Sequence, residues 1–143
     1  MRTIHRKSML SFAAATLMAG LLAAGATFAA EMKVKLSGDQ EVPPVQTQAS
    51  GNGTITVNED MSVSGSVTTT GIKATAAHIH EAAAGKNGPV VVPLEKKSDN
   101  EFAVPAGAKL SDAQYKALKA GNLYVNVHSD AHKGGEIRAQ LKP

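Results

Sequence analysis

From residue 32 onward, apolar and polar side chains alternate with a period of two, the spacing of half-buried strands. Met32, Val34 and Leu36 fall on one side and Lys33 and Lys35 on the other. Ile55 and Val57 stand against Thr54 and Thr56, and Met61, Val63 and Val67 against Ser62, Ser64 and Ser66. Between these two runs, Asn58-Glu59-Asp60 is rich in turn formers and predicts the connection. Val90-Val91-Val92, introduced by Gly88-Pro89, predicts a more buried strand; Leu123 to Val127 predicts another, and Glu136 to Leu141, behind Gly134-Gly135, the last. Several short strands, most with one solvated face, predict an all-β fold, an antiparallel sandwich or barrel.

One short helix interrupts the strands. Ser111-Asp112-Ala113-Gln114 is a capping box, in which the Ser oxygen accepts from the third helical N–H and Gln114 reaches back to the start. Leu110 and Tyr115 are placed to staple that end, and Gly121 supplies the left-handed residue that stops the helix, so it spans Asp112 to Ala120. Lys96 to Glu101 mixes both signs of charge and reads as a solvated turn, while Pro43 to Ser50 is the one long irregular loop.

Residues 1–29 do not share the alternation. Arg2, Arg6 and Lys7 precede an apolar run from Met9 to Leu22 and then small residues through Ala30, the layout of a cleaved secretory signal. Ala24-Gly25-Ala26 fits the small-x-small cleavage pattern and Thr27-Phe28-Ala29 is a second choice, which leaves residues 31–143 as a single domain. The alternative is a retained membrane anchor, because the apolar stretch with its flanks approaches spanning length. Gly and small residues at its end favour cleavage, so the domain is expected in the periplasm or outside the cell, free of the membrane.

Charge and cysteine usage narrow the function. The chain holds 15 Lys and Arg against 12 Asp and Glu, but the excess lies in the leader and the domain is formally neutral. It lacks the basic surplus that nucleic-acid binding needs. There is no Cys, which removes disulfides, blue-copper sites, thiolate zinc sites and a lipid anchor on Cys. Beyond the leader only Met32 and Met61 remain, which argues against a Met-rich Cu(I) cluster, and only Phe102, Tyr115 and Tyr124 are aromatic, so the core is expected to be aliphatic and thin. Any metal site must be built from His, Asp and Glu. No Ser/His/Asp order, phosphate-cradling Gly loop or inward carboxylate pair supports a hydrolase.

The domain's histidines are grouped. His78-Ile79-His80 puts two imidazoles on one face of a strand, a chelating spacing, with Ile79 turned away. On the later strand, Tyr124, Asn126 and His128 share a face opposite Val125 and Val127. If the two strands face each other, three imidazoles converge into a workable mononuclear site for copper or zinc. The competing reading makes each ring a solvated or backbone-bonded histidine. Tyr124 is read equally as a positioning group or as core packing.

Five motifs in order resemble those of the CHRD domain, named from chordin and also found alone in exported bacterial proteins. They are Leu36-Ser37-Gly38-Asp39-Gln40-Glu41-Val42-Pro43-Pro44-Val45, Ala77-His78-Ile79-His80, Gly88-Pro89-Val90-Val91, Gly121 through His128, and Gly134-Gly135-Glu136-Ile137-Arg138. The resemblance spans residues 32–142 and implies an immunoglobulin-like or Greek-key β-sandwich or barrel. Lys133, where such domains often carry Pro, and Ala139, where Gly is usual, depart from the pattern in the last hairpin. The motif histidines are His78, His80 and His128; the motif polar residues are Glu41, Asn126, Glu136 and Arg138. His132 falls where the family varies and is treated as an auxiliary ligand. The His-x-His strand also looks like the copper-binding strand of copper–zinc superoxide dismutases, but their paired site takes six histidines and an aspartate, more than this domain has.

These readings predict an exported, superoxide-dismutase-like β domain that holds copper, or zinc, through His78, His80 and His128. His132 or Glu41 is the further ligand, Glu41 otherwise accepting from an imidazole N–H or forming a strand-end ion pair, and Asn126, Glu136 and Arg138 support the ligands from behind. Glu136 and Arg138 are expected on one strand face, paired with each other or with a neighbour, and Pro43-Pro44 is expected to stiffen the exit from the first strand. Catalysis is not required; an open copper position would allow dismutase-like redox chemistry. The rival reading is a non-catalytic extracellular module that binds a protein or polysaccharide and whose histidines are structural.

Overall fold

The computed structural model describes residues 30–143; the expected signal segment lies outside them. Nine strands and one helix follow one another: β1 (Ala30–Ser37), β2 (Ser50–Val57), β3 (Val63–Thr70), β4 (Ala74–Glu81), β5 (Val90–Pro93), β6 (Glu95–Ser98), β7 (Glu101–Ala103), α1 (Asp112–Lys119), β8 (Leu123–Ser129) and β9 (Ile137–Leu141). They form one sheet in the order β5-β4-β8-β9-β1-β2-β3-β7-β6, with every pairing antiparallel. The two end strands are consecutive in the chain with only Leu94 between them, so the sheet curls into a nearly closed barrel. At the seam the Leu94 N–H donates to the Ala77 carbonyl at 2.9 Å. The fold is therefore all-β, a barrel in place of a two-sheet sandwich, with one short helix. Among the described residues no helix is long and apolar enough to cross a membrane.

Period-two alternation fills the barrel. Met32, Val34 and Leu36 of β1, Ile55 and Val57 of β2, and Val63 and Val67 of β3 point inward, joined by Ile79, Phe102, Leu123, Val125, Val127, Ile137 and Leu141. A one-residue slip of β1 would put Lys33 and Lys35 into that interior, which pins the register. Helix α1 is the capped element expected: the Gln114 N–H donates to Ser111 Oγ at 3.1 Å and the Ser111 N–H to Gln114 Oε1 at 2.8 Å. Leu118 is its buried anchor, and Gly121 follows with φ 77°.

The barrel departs from the sequence expectations in four places. Met61 lies in the turn and not in a strand: it takes φ 68°, and its N–H donates to the Asn58 carbonyl. β5 is an end strand of the sheet, so Val92 is buried while Val90 is 50% exposed. Lys96 to Glu101 is solvated, but it is a hairpin, β6 and β7 paired around Asp99-Asn100. The Pro43 to Ser50 loop is tied down, with the Val45 N–H on the Gly38 carbonyl at 2.9 Å and Thr47 Oγ1 donating to Glu136 Oε1 at 2.7 Å.

Candidate metal centre

The sequence left open whether the two histidine strands are neighbours; β4 and β8 are paired directly. His80 lies opposite Tyr124, His78 opposite Asn126 and Ala76 opposite His128. β9 continues the rows, with Gln140 beside Tyr124 and Arg138 beside Asn126. The barrel's outer face thus carries a row His80, Tyr124, Gln140 and a row His78, Asn126, Arg138, with His128 diagonal to His78. Ile79, Val125 and Val127 between them face the interior.

This outer face is roofed. The chain from Ala82 to Pro89 folds back over it, and Arg138, 1% exposed, donates to the carbonyls of Lys86 (2.8 Å) and Ala83 (3.3 Å) and to the side-chain oxygens of Gln140 (3.1 Å) and Asn87 (3.4 Å). Its guanidinium sits 3.4 Å from the Tyr124 ring centre, and the Tyr124 ring is stacked on His80 at 4.9 Å. Gly88 binds both ends of that stack, its N–H donating to the Tyr124 hydroxyl (3.2 Å) and its carbonyl accepting from His80 Nδ1 (3.0 Å). A side chain at 88 would run into the Glu81 carbonyl, so only Gly allows this approach.

The three imidazoles are close enough to share one ion. Their ligand atoms all lie within 4.8 Å of one another, and His78 Nδ1 is 2.9 Å from His128 Nε2. Two nitrogens sharing one ion at about 2.0–2.1 Å with a right angle between them stand about that far apart. His80 Nδ1 meets the Gly88 carbonyl and His128 Nδ1 the Lys133 carbonyl at 2.9 Å. A carbonyl only accepts, so each Nδ1 carries the hydrogen and each Nε2 keeps a lone pair, that of His128 placed to accept from His78 Nδ1 at 2.9 Å when no ion is bound. His80 Nε2 is buried and has no partner. Burial holds the His80 pKa below the usual imidazole value; the Gly88 carbonyl and Asn126 oppose the shift, and the charges of His128 and Arg138 add to it. His78 is lowered too, by burial and then by its histidine neighbours. His78 and His128 are half-buried and give the cluster its opening to solvent.

The other named residues have separate places. Neither Glu41 nor His132 belongs to the ligand-atom group. The His132 backbone is bonded within the turn to Ser129. Glu41 is 4% exposed, and burial raises its pKa to about 7 against the charge of Arg138, the Asn126 side chain and the Val42 backbone. Glu136 and Arg138 do not pair with each other: Glu136 accepts from Thr47, and Arg138 is held by neutral oxygens. Tyr124 packs outside the barrel, in the stack with His80. Asn87 and the 82–89 cover had no signal in the alternation; only the motif glycine at 88 pointed to that segment.

An all-β barrel with three imidazoles gathered under a loop roof defines a β module with a cluster able to hold a metal ion. The chain belongs to the CHRD domain family: residues 32–141 match its family model. No curated protein and no solved structure matched the chain.

Proposed function

We propose that this is an exported metal-binding protein that holds one copper ion, or zinc, with His78, His80 and His128 and serves in metal buffering or tolerance. The observation that carries the reading is His80 Nε2, a lone pair 92% buried with its residue, unpartnered, and aimed into a cluster whose other two rings have donor atoms within 4.8 Å. An unpaired buried polar atom costs about 1–3 kcal/mol, a cost that ligation removes. Copper is preferred over zinc because Cu(II) heads the divalent affinity order for imidazole sites and an exported domain meets an oxidising compartment. The leader in residues 1–29 supplies the export.

The test is titration of the purified protein with Cu(II), Cu(I) and Zn(II) against a calibrated chelator. One ion per chain is expected, with affinity falling at least about a hundredfold in His80→Ala and His128→Ala while the fold persists by circular dichroism. Binding no stronger than that of scattered surface groups would overturn the reading in favour of a module that binds a macromolecule.

A further inference from the structure

Two more buried polar atoms lack a well-aligned hydrogen-bond partner, Asn126 Oδ1 and Glu41 Oε1, in residues 2% and 4% exposed. Asn126 stands in the middle of the outer face, level with His78 across the β4–β8 pairing and two residues before His128 on the same side. Its Nδ2 lies 3.5 Å from the Gly134 carbonyl. That oxygen only accepts, so the amide nitrogen faces the 134–135 turn and Oδ1 faces the opposite way. His80 Nε2 and Asn126 Oδ1 are thus two buried acceptors on one face, each without a well-aligned hydrogen-bond partner, and near enough to each other that Asn126 favours the charged imidazole. A metal ion would satisfy the imidazole nitrogen, and a protic molecule bound to that ion would supply a hydrogen to the amide oxygen.

Glu41 braces the other end of the amide. Glu41 Oε1 and Asn126 Nδ2 are both packed against Gly135, where any Cβ would collide with the two of them. Gly135 has φ 122°, a conformation that side chains rarely adopt. The bare glycine therefore leaves room for the carboxyl and the amide nitrogen side by side, which keeps Oδ1 turned away from the turn.

We propose that Asn126 accepts a hydrogen bond from a water or hydroxide that completes the coordination of the ion held by His78, His80 and His128, with Glu41 as the residue that positions Asn126. This rests on the metal-binding reading above. It makes the centre an open one, with an exchangeable position that favours small protic molecules over acceptor-only anions, unlike a closed structural site. The half-exposed edges of His78 and His128 give such molecules their way in.

The experiment compares the Cu(II)-loaded protein with Asn126→Ala and the near-isosteric Glu41→Gln. Copper resonance lines of the unmodified protein should broaden in ¹⁷O-enriched water, which reports a bound solvent oxygen. Azide carries no hydrogen, so Asn126 Oδ1 opposes its binding. Azide should displace the solvent at concentrations about fivefold or more lower in both variants, the scale of one lost hydrogen bond, with one copper retained per chain. Copper uptake without ¹⁷O broadening, or equal azide affinity in all three proteins, would overturn this proposal alone. Failure of the unmodified protein to take up stoichiometric copper would overturn it together with the metal-binding reading.

Discussion

β1 and β8 carry the same alternation of apolar and polar residues and meet different fates. On β1 the apolar set is buried and Lys33 and Lys35 are exposed. On β8 Leu123, Val125 and Val127 are buried, but so are Tyr124 and Asn126, and His128 is half-buried. The difference lies in what covers the strands. β1 leaves its outer face bare, while the outer face of β8 and its neighbours lies under the 82–89 chain, the loop after Glu41 and the 130–136 turn. Alternation in a sequence therefore tells which face is apolar and not whether the other face meets water. A covered polar face must find partners, and at His80 Nε2, Asn126 Oδ1 and Glu41 Oε1 it leaves atoms without a well-aligned one, beside a cluster that could hold a metal ion.

The largest effect is expected at the centre of the covered face. Arg138→Met removes a buried cation and strands the carbonyls of Ala83 and Lys86 that it binds. Leaving buried neutral acceptors unpaired costs about 1–3 kcal/mol each, and urea unfolding should show it. Arg138→Lys should not restore it, because one ammonium cannot span four acceptors and the Tyr124 ring. A loss below about 1 kcal/mol would break the contrast between the two faces. Next comes Gly135→Ala, whose methyl must displace Glu41 and Asn126 at an unfavourable φ. It should cost about 2–3 kcal/mol in the same measurement, whereas a benign outcome would show that the pair beneath it is loosely held.

Glu41 gives the covered face a pH signature. Its pKa is raised to about 7, from 4.5, so the folded chain holds this proton more tightly than the unfolded chain does. Its contribution is fully present below the unfolded value and is lost as pH rises through about 7. The loss should reach about 2 kcal/mol by about pH 8, allowing for solvent screening at the mouth of the site. His78 and His80, whose pKa values are lowered, act oppositely, contributing above the ordinary imidazole value and losing that contribution as pH falls. The clean observable is therefore the stability difference between Glu41→Gln and the unmodified protein. It should move in favour of the variant from about pH 5 to about pH 8; a difference independent of pH would sink the assignment.

The sequence made β1, β2, most of β3, α1 and the inner face of β8 legible, because each rests on a local period or a local cap. It also grouped His78, His80 and His128. It did not reveal that β4 and β8 are paired, since antiparallel neighbours far apart in sequence leave no local mark, nor that Val92 to Glu95 closes the barrel at a seam. The strand pair β6–β7 escaped for a different reason. Its residues are nearly all exposed, so no apolar period survives there apart from Phe102. Glu41 was named as a further ligand, as an acceptor for an imidazole N–H or as half of a strand-end ion pair, because nothing local shows that a glycine nearly a hundred residues later opens the space it occupies.

The smallest effect is expected on the bare face, and it sharpens the comparison from the other side. Lys33 and Lys35 are exposed, no salt bridge within 4.0 Å holds either among the described residues, and their backbone pairing with β2 does not depend on the side chain. The Lys35 carbonyl accepts from Gln40 Nε2, a bond that also survives truncation. Lys33→Ala and Lys35→Ala should each change stability by less than about 0.5 kcal/mol, a loss of strand propensity set against a gain in unfolded-chain terms. If either costs more than about 1 kcal/mol, β1's outer face is not bare in solution. The burial of polar residues around the histidines would then be an ordinary property of this barrel wall, and no longer the mark that sets the candidate metal centre apart.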